Sequence, residues 1–328
     1  MDHQYQSLII FLNRRCPVGC SSCNAGAVPG NPQELSVPWL SSFFPKVKNL
    51  KFPGYILWTG GEPFLSFDAL KRGISIACAQ GYHSEILTSG VWFASHPERL
   101  EPLAEIAGKG NVSLRISLDA EHQEKVPLSL VIALIGKALE KQLEVNFTLR
   151  EIPGSRGFVH RCIEEIKKSL PEYYLRNRSS RWLHYIPHIP ISSEPSPPGT
   201  PPTQKYRQPC RMIFRDLVVG EDGLVYPCCG FVGFPSRHAL AVGDPITETW
   251  DTLAYRHRDH PLFRKLKEKG PYGICRESDL EPETWEGAPF QNTCHLCLAL
   301  LRLAANKLYS PFSESESSKT NEYSPLFS

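Results

Sequence analysis

Cys16-Pro-Val-Gly-Cys20-Ser-Ser-Cys23 places three thiols at x3 and x2 spacing directly after the apolar run Leu8-Ile9-Ile10-Phe11-Leu12. Three thiolates can hold three irons of a four-iron, four-sulfur cube and leave the fourth iron without a protein ligand. A closed structural metal site would draw a fourth ligand from nearby, whereas the next cysteine is Cys78. On spacing alone, half of a zinc site or three unrelated thiols stand as alternatives. A second group of interest is Thr59-Gly60-Gly61-Glu62-Pro63. Its glycines let the backbone approach a ligand closely, and Glu62 offers a carboxylate to an ammonium group. Taken alone the segment is equally an ordinary turn.

These groups must be positioned by regular elements. Apolar runs at 8–12, 55–58, 84–87, 112–118, 143–149 and 182–186 alternate with helical patterns at 37–47, 67–79, 100–107, 128–140 and 159–170. About six strand-plus-helix units predict an α/β fold with a parallel sheet, closing into a partial (β/α)6 TIM-like barrel. Chemistry in such a fold belongs at the C-terminal strand ends, where both motifs fall. From Pro187 to Pro209 the chain changes character, with Pro195, Pro197, Pro198, Pro201 and Pro202 among serines and threonines. The reading is a barrel over 1–186, an extended connector over 187–204, a small Cys-rich C-terminal module over 205–303 and a tail over 304–328 whose polar end is disordered.

Composition narrows the function. The 328 residues are 41% hydrophobic and 21% charged with net charge +2, so no strong field calls for nucleic acid or an anionic membrane. The N-terminus lacks a signal-peptide pattern and no apolar run is long enough to span a bilayer, which predicts a cytoplasmic protein. Eleven cysteines in such a chain point to metal ligation or redox chemistry rather than a disulfide framework.

Together, the C-x3-C-x2-C loop after the first strand and Gly-Gly-Glu-Pro after the second resemble the radical S-adenosylmethionine (SAM) superfamily, over roughly residues 7–186. The resemblance implies a [4Fe-4S] cluster on Cys16, Cys20 and Cys23 whose open iron binds the amino and carboxylate groups of SAM. It also implies reductive release of a 5′-deoxyadenosyl radical, and an electron donor such as flavodoxin or ferredoxin. Gly60, Gly61, Glu62 and Pro63 would then contact SAM. Leu87-Thr88-Ser89-Gly90 looks like the Thr-Asn-Gly after the third strand of the family, and Ile116-Ser117-Leu118-Asp119 resembles its Ser-x-Asp. By that likeness Ser89, Ser117 and Asp119 also face SAM. Arg150 is either a bidentate partner of the SAM carboxylate or a surface arginine beside Glu151. Ser22 departs from the aromatic residue that many members carry before the third cysteine.

Cys210, Gly223 and Cys228 read C-x12-G-x4-C, followed later by Cys294-His-Leu-Cys297. The arrangement resembles the shortened SPASM module called twitch, which implies a second, auxiliary [4Fe-4S] cluster on Cys210, Cys228, Cys294 and Cys297. A zinc ribbon from the same thiols is the alternative. Residues 219–226 read as a hairpin turned by Gly220 and Gly223, which brings Cys210 and Cys228 together. Cys78 and Cys162 read as buried small hydrophobes. Cys229, in Tyr226-Pro-Cys-Cys-Gly230, differs, because a thiol beside the cluster can donate a hydrogen atom to a substrate radical and invert a stereocentre. Radical SAM peptide epimerases are similar to this chain in that element, in the late Cys-x-x-Cys and in Thr-Gly-Gly-Glu. Cys229 is otherwise a spare thiol or the ligand in place of Cys228, and Cys275 is a second candidate for donor or ligand.

The basic residues of 256–260 and 264–269 read as a solvated helix face rather than a nucleic-acid site. His295 reads as exposed and not ligating. Trp182, His184 and Tyr185 line either the substrate cavity or the core. The resulting expectation is a radical SAM enzyme that epimerises, oxidises or cross-links a peptide. An aminosugar, cyclitol or other small-molecule substrate is the alternative, and a non-catalytic zinc scaffold is the competing class. The first strand begins close to Met1 with no peptide-recognition domain before it, which weakens the precursor-peptide reading while leaving a separate recognition protein open.

Overall fold

The computed structural model describes residues 5–308 apart from 22, 24, 49, 51, 53, 109–110, 151, 153–154, 156, 173–182, 186–203, 235–236, 286–287, 289 and 291. Six short apolar segments become strands: β1 (Ser7–Phe11), β2 (Tyr55–Thr59), β3 (His83–Thr88), β4 (Val112–Leu118), β5 (Glu144–Leu149) and β6 (Leu183–Tyr185). They pair in parallel in the order β6-β5-β4-β3-β2-β1, the chain order expected of successive right-handed crossovers. Between them run α1 (Val37–Val47), α2 (Phe67–Ala79), α3 (Leu100–Ala107), α4 (Ala120–Lys125), α5 (Leu128–Glu140) and α6 (Phe158–Ser169). The partial barrel read from the sequence is the fold observed. All five residues of β1 are buried, as a parallel strand covered on both faces requires.

Local chemistry explains the helix positions. Ser36 caps α1 by accepting the Trp39 N–H at 3.2 Å, and a proline in the first turn needs no hydrogen bond there. Trp58 of β2, fully buried, lies against Phe44 of α1 with ring centroids 5.9 Å apart. Its far edge meets Gly73 of α2, where any Cβ would collide with the indole, so glycine sets how closely that helix sits on the sheet. The short α4, which the hydrophobic pattern does not announce, starts where Asp119 accepts the His122 N–H at 3.0 Å.

The Cys-rich segment adds to the same sheet. β7 (Asp216–Val219) pairs in parallel with β1, Leu8 opposite Leu217, and β8 (Val225–Tyr226) returns antiparallel to β7. The expected hairpin is present, with the Gly220 N–H donating to Leu224 O at 2.9 Å and Gly223 at φ +82°. The sheet therefore takes strands from both sides of residue 205 and has eight in all, with β6 and β8 at its edges. Then follow α7 (Cys229–Val232), α8 (Trp250–Asp259), α9 (Pro261–Glu268), α10 (Gly270–Glu277) and α11 (Thr293–Leu308). The connector read at 187–204 and the polar end of the tail lie outside the described residues, Gln204 excepted. Among the described residues, no helix is long and apolar enough to cross a membrane.

Candidate active site and thiol centres

The loop bearing Cys16, Cys20 and Cys23 leaves the C-terminal end of β1 and is fastened to the end of β2. Fully buried Asn13 donates to Glu62 O at 3.0 Å and to Ser66 Oγ at 2.8 Å. The Gly61 N–H donates to Asn13 O and the Glu62 N–H to Arg15 O, both at 2.8 Å. Gly60 sits at φ +138°, and a Cβ on Gly60 or Gly61 would collide with the carbonyl of Asn13 or Arg15. The close approach expected of these glycines is therefore made by the chain itself, which locks the cysteine loop onto the strand. Within the loop, the Cys23 N–H reaches Cys20 O at 3.3 Å and the Gly26 N–H reaches Cys23 O at 2.9 Å.

Burial raises the Cys16 thiol to about 11, with the charges of Glu62 and Cys23 adding to the rise. Burial raises Cys20 to about 12, assisted by Cys23 and Asp119. Thiols packed near one another and near carboxylates gain by giving up their protons to a cationic group, and this donor set fits an iron-sulfur cluster. Among the described residues, no three His, Cys, Asp or Glu side chains close around a single metal ion.

Glu62 is fully buried and ties β2 to β3. Its carboxylate accepts from Thr88 Oγ1 at 2.8 Å, Ser89 N at 3.0 Å, Ser89 Oγ at 2.5 Å and Phe64 N at 3.3 Å. Burial nevertheless leaves its pKa raised against the pull of those bonds. Pro63 opens the single helical turn that Glu62 caps. Ser89, an expected cofactor contact, is thus first of all a partner of Glu62.

At the ends of β4 and β5 the expected residues converge. Asp119 Oδ2 accepts from Arg150 Nε at 3.1 Å and lies 2.9 Å from His122 Nδ1, and a second Arg150 nitrogen reaches Glu121 Oε2 at 3.1 Å. Burial pushes the Asp119 carboxyl up, but the His122 bonds and the Arg150 charge outweigh it and leave it below the usual range. Arg150 is only 6% exposed, so its reading as a surface arginine is corrected: the ion pairs with Asp119 and Glu121 balance its burial. Ser117 is buried on β4 opposite Thr148. Two members of this network were not foreseen. The His122 ring nitrogens lie 3.8 and 3.9 Å from Cys20 Sγ, and Ser21 Oγ donates to Glu121 at 2.5 Å. The signal for both was the Asp119-Ala-Glu121-His122 run, which puts His122 one helical turn after a capping aspartate.

The second thiol group is assembled from distant segments. Cys210 precedes β7, Cys228 follows β8, and Cys294 and Cys297 lie in the first turns of α11. Burial and then Cys229, Cys210, Cys297 and Cys294 hold the Cys228 thiol well above its ordinary range. Cys297 is raised likewise by burial, Cys210, Cys294 and Cys275, and Cys294 to about 12 by burial, Cys210 and Cys229. These thiols thus lie within electrostatic reach of one another, as do Cys229 and Cys275. Cys229 is raised by burial and by Asp216, against the nearby Arg215. Asp216 is itself held by Ser7 Oγ and Arg215 Nε, both at 2.7 Å. Fully buried Cys275 is raised to about 12 by burial and Glu283.

The remaining expectations divide. His295 is buried rather than exposed, edge-on to Phe290 with centroids 5.0 Å apart, because its helix turns that side into the apolar packing. Cys162 is buried as read, and Cys78 is half-buried with its sulfur 3.9 Å from Asn111 O. Half-buried His184 stands on β6, while Trp182 and the Tyr185 side chain lie outside the described residues. The two thiol loops also touch: Arg14 Nε pairs with buried Glu221 Oε1 at 3.6 Å, and Gly26 packs on the backbone of Gly233.

No protein-family model matches the chain. A protein of Bacillus subtilis (strain 168), YydG, named as a peptide biosynthesis protein, is 19% identical over 307 residues, covering 91% of this chain and 93% of YydG. The structure of anSMEcpe with bound AdoMet superposes with TM-score 0.56 at 14% identity, over 93% of this chain and 94% of that one. That of BtrN in complex with AdoMet and 2-DOIA gives TM-score 0.50 at 15% identity, over 85% and 92%. The fold is that of the radical SAM enzymes. The loop of Cys16, Cys20 and Cys23 and the strand-end network of Glu62, Asp119 and Arg150 lie at the C-terminal strand ends, the face where barrels of this kind carry their chemistry.

Proposed function

We propose that the chain is a radical SAM enzyme that modifies a peptide, and that the modification is an epimerisation in which Cys229 donates a hydrogen atom. With a [4Fe-4S] cluster on Cys16, Cys20 and Cys23 and SAM on its open iron, one-electron reductive cleavage would supply a 5′-deoxyadenosyl radical able to take a hydrogen atom from an unactivated C–H bond. Glu62, Ser89, Ser117, Asp119 and Arg150 are the residues that would hold SAM, from strand ends already locked together by hydrogen bonds. Such pre-positioning lets binding energy serve orientation and water exclusion. A second cluster would occupy Cys210, Cys228, Cys294 and Cys297, in the module after the connector, and the chain would work in the reducing cytoplasm.

The observation that carries the epimerase reading is the surroundings of Cys229. Its thiol is within electrostatic reach of Cys228 and Cys294 and of Asp216 and Arg215. A thiol that gives a hydrogen atom to a carbon radical must recover one electron and one proton. In this reading the neighbouring thiol group would supply the electron and the carboxylate of Asp216, within electrostatic reach, the proton. A peptide substrate is supported by the name of YydG and by the structure of anSMEcpe with AdoMet and the Cp18Cys peptide.

The test is anaerobic reconstitution followed by co-expression with candidate peptides and chiral analysis in heavy water. Wild type should invert a residue and place solvent deuterium on its α-carbon, and Cys229→Ala should leave the centre uninverted and unlabelled. Deuterium at an inverted carbon in Cys229→Ala would refute the donor. A colourless zinc protein without acid-labile sulfide would refute the radical reading itself.

A further inference from the structure

Arg150, with a single positive charge, serves two carboxylates, and the two are not held alike. Asp119 accepts from Arg150 Nε at 3.1 Å, caps α4 by accepting the His122 N–H at 3.0 Å and lies 2.9 Å from the His122 ring, with 3% of its side chain exposed. Glu121, in the first turn of α4, takes a second Arg150 nitrogen at 3.1 Å with one oxygen and Ser21 Oγ at 2.5 Å with the other, and 18% of its side chain is exposed. Ser21 is an exposed residue of the cysteine loop, between Cys20 and Cys23. The charges of Asp119, Arg150 and Glu121 all reach the Cys20 thiol. The guanidinium therefore stands close to the loop proposed to carry the first cluster, and Glu121 ties the two together.

We infer that Glu121 is a stand-in for the carboxylate of SAM, occupying Arg150 and strapping the cysteine loop until the carboxylate of the cofactor takes its place. The inference rests on the proposed function, which gives Arg150 to SAM, and deepens it by adding a residue that sets how tightly SAM is held. The exchange makes and breaks no covalent bond. One carboxylate replaces another on the same guanidinium, so the charge-assisted bonds of Arg150 are kept. Which partner yields is decided by the rest of the network. Asp119 is fixed by its cap and by the ring of His122 and is nearly sealed from water, so releasing it would strand a buried charge. Glu121, on the more open side, is rehydrated once it lets go. The arginine is ready for SAM only while Glu121 is off it, and the apparent affinity for SAM is lowered by that fraction. Glu121 is thus a positioning residue that acts on the cofactor through Arg150.

The experiment measures calorimetric binding of SAM and of decarboxylated SAM to the anaerobic, iron-loaded enzyme and needs no substrate. Decarboxylated SAM keeps the sulfonium and the ammonium but has no carboxylate to compete for Arg150. Glu121→Gln keeps the shape of the side chain and removes its charge. It should tighten SAM by about fivefold, a gain that misfolding does not produce, and leave decarboxylated SAM unchanged or weaker. The strap is read without cofactor or activity: in the metal-free protein, Glu121→Ala should raise amide hydrogen exchange over residues 16–24. Unchanged or weaker SAM binding by Glu121→Gln, an equal gain for both ligands, loss of iron from that variant, or exchange over 16–24 that Glu121→Ala leaves as in wild type overturns the stand-in. Failure of the underlying reading would appear separately, as SAM binding that survives Arg150→Met.

Discussion

The two thiol groups are built in opposite ways. Cys16, Cys20 and Cys23 come from one loop of eight residues, shaped by its own turns and fastened to β2 through Asn13, Gly61 and Glu62. Cys210, Cys228, Cys294 and Cys297 come from three separate segments, held together by the hairpin on β1, by the contact of Cys210 with α9 and by the packing of α11. A contiguous loop can keep an iron site open because its ligands run out. The proposed second cluster would instead be surrounded by thiols arriving from several directions. The difference teaches where each group is vulnerable: the first to changes in the strand-end backbone, the second to changes in tertiary packing.

The sharpest way to break the comparison is to remove a ligand from each side. Cys20→Ala should lose about four irons per chain and all SAM cleavage, while Cys297→Ala should disturb only the second group. Iron and sulfide analysis with electron paramagnetic resonance separates the two, and concurrent loss of both clusters in Cys20→Ala would show that the sites are not independent. Next in size is Gly61→Ala, whose methyl collides with the Arg15 carbonyl. It should cost about 2 kcal/mol in denaturant unfolding and deplete iron at the first site alone.

Glu221→Gln probes the bridge between the two. Removing the carboxylate facing Arg14 should cost about 1 to 2 kcal/mol, less than a fully buried pair because Arg14 keeps some solvent. It should loosen the first cysteine loop although Glu221 belongs to the hairpin that serves the second. A separate effect, on the metal-free protein alone, is one of pH. Unfolded thiols ionise near the ordinary 9.0, whereas folded Cys20 and Cys294 hold their protons to about 12. Between those values the unfolded chain binds fewer protons, so the metal-free protein should lose stability as pH rises above about 9. The loaded protein, whose thiols are already deprotonated, should lack that dependence in anaerobic unfolding from about pH 8 to about pH 11.

Much of the barrel was legible because strand and helix periods are local properties. The segment from Val37 to Val47 carries its cap, its proline and its apolar stripe within one window, and the hairpin carries its own glycines. The first thiol group was legible for the same reason. His122 and Glu121 were not, since their meaning comes from Cys20 and Ser21, about a hundred residues earlier in the chain. His295 was misplaced because the polarity of one side chain says nothing of the face its helix buries.

The sequence by itself determined the units: which stretches extend or coil, and that Cys16, Cys20 and Cys23 share a loop whose spacing alone limits what it can hold. Tertiary structure decided the company each residue keeps. It placed β7 beside β1, turned Arg150 inward onto Asp119, and brought Asp216 within electrostatic reach of Cys229. The physical reason is range. Backbone preference and periodicity act over a few residues, whereas burial, ion pairing and the mutual influence of thiols depend on distances that only the packed chain defines.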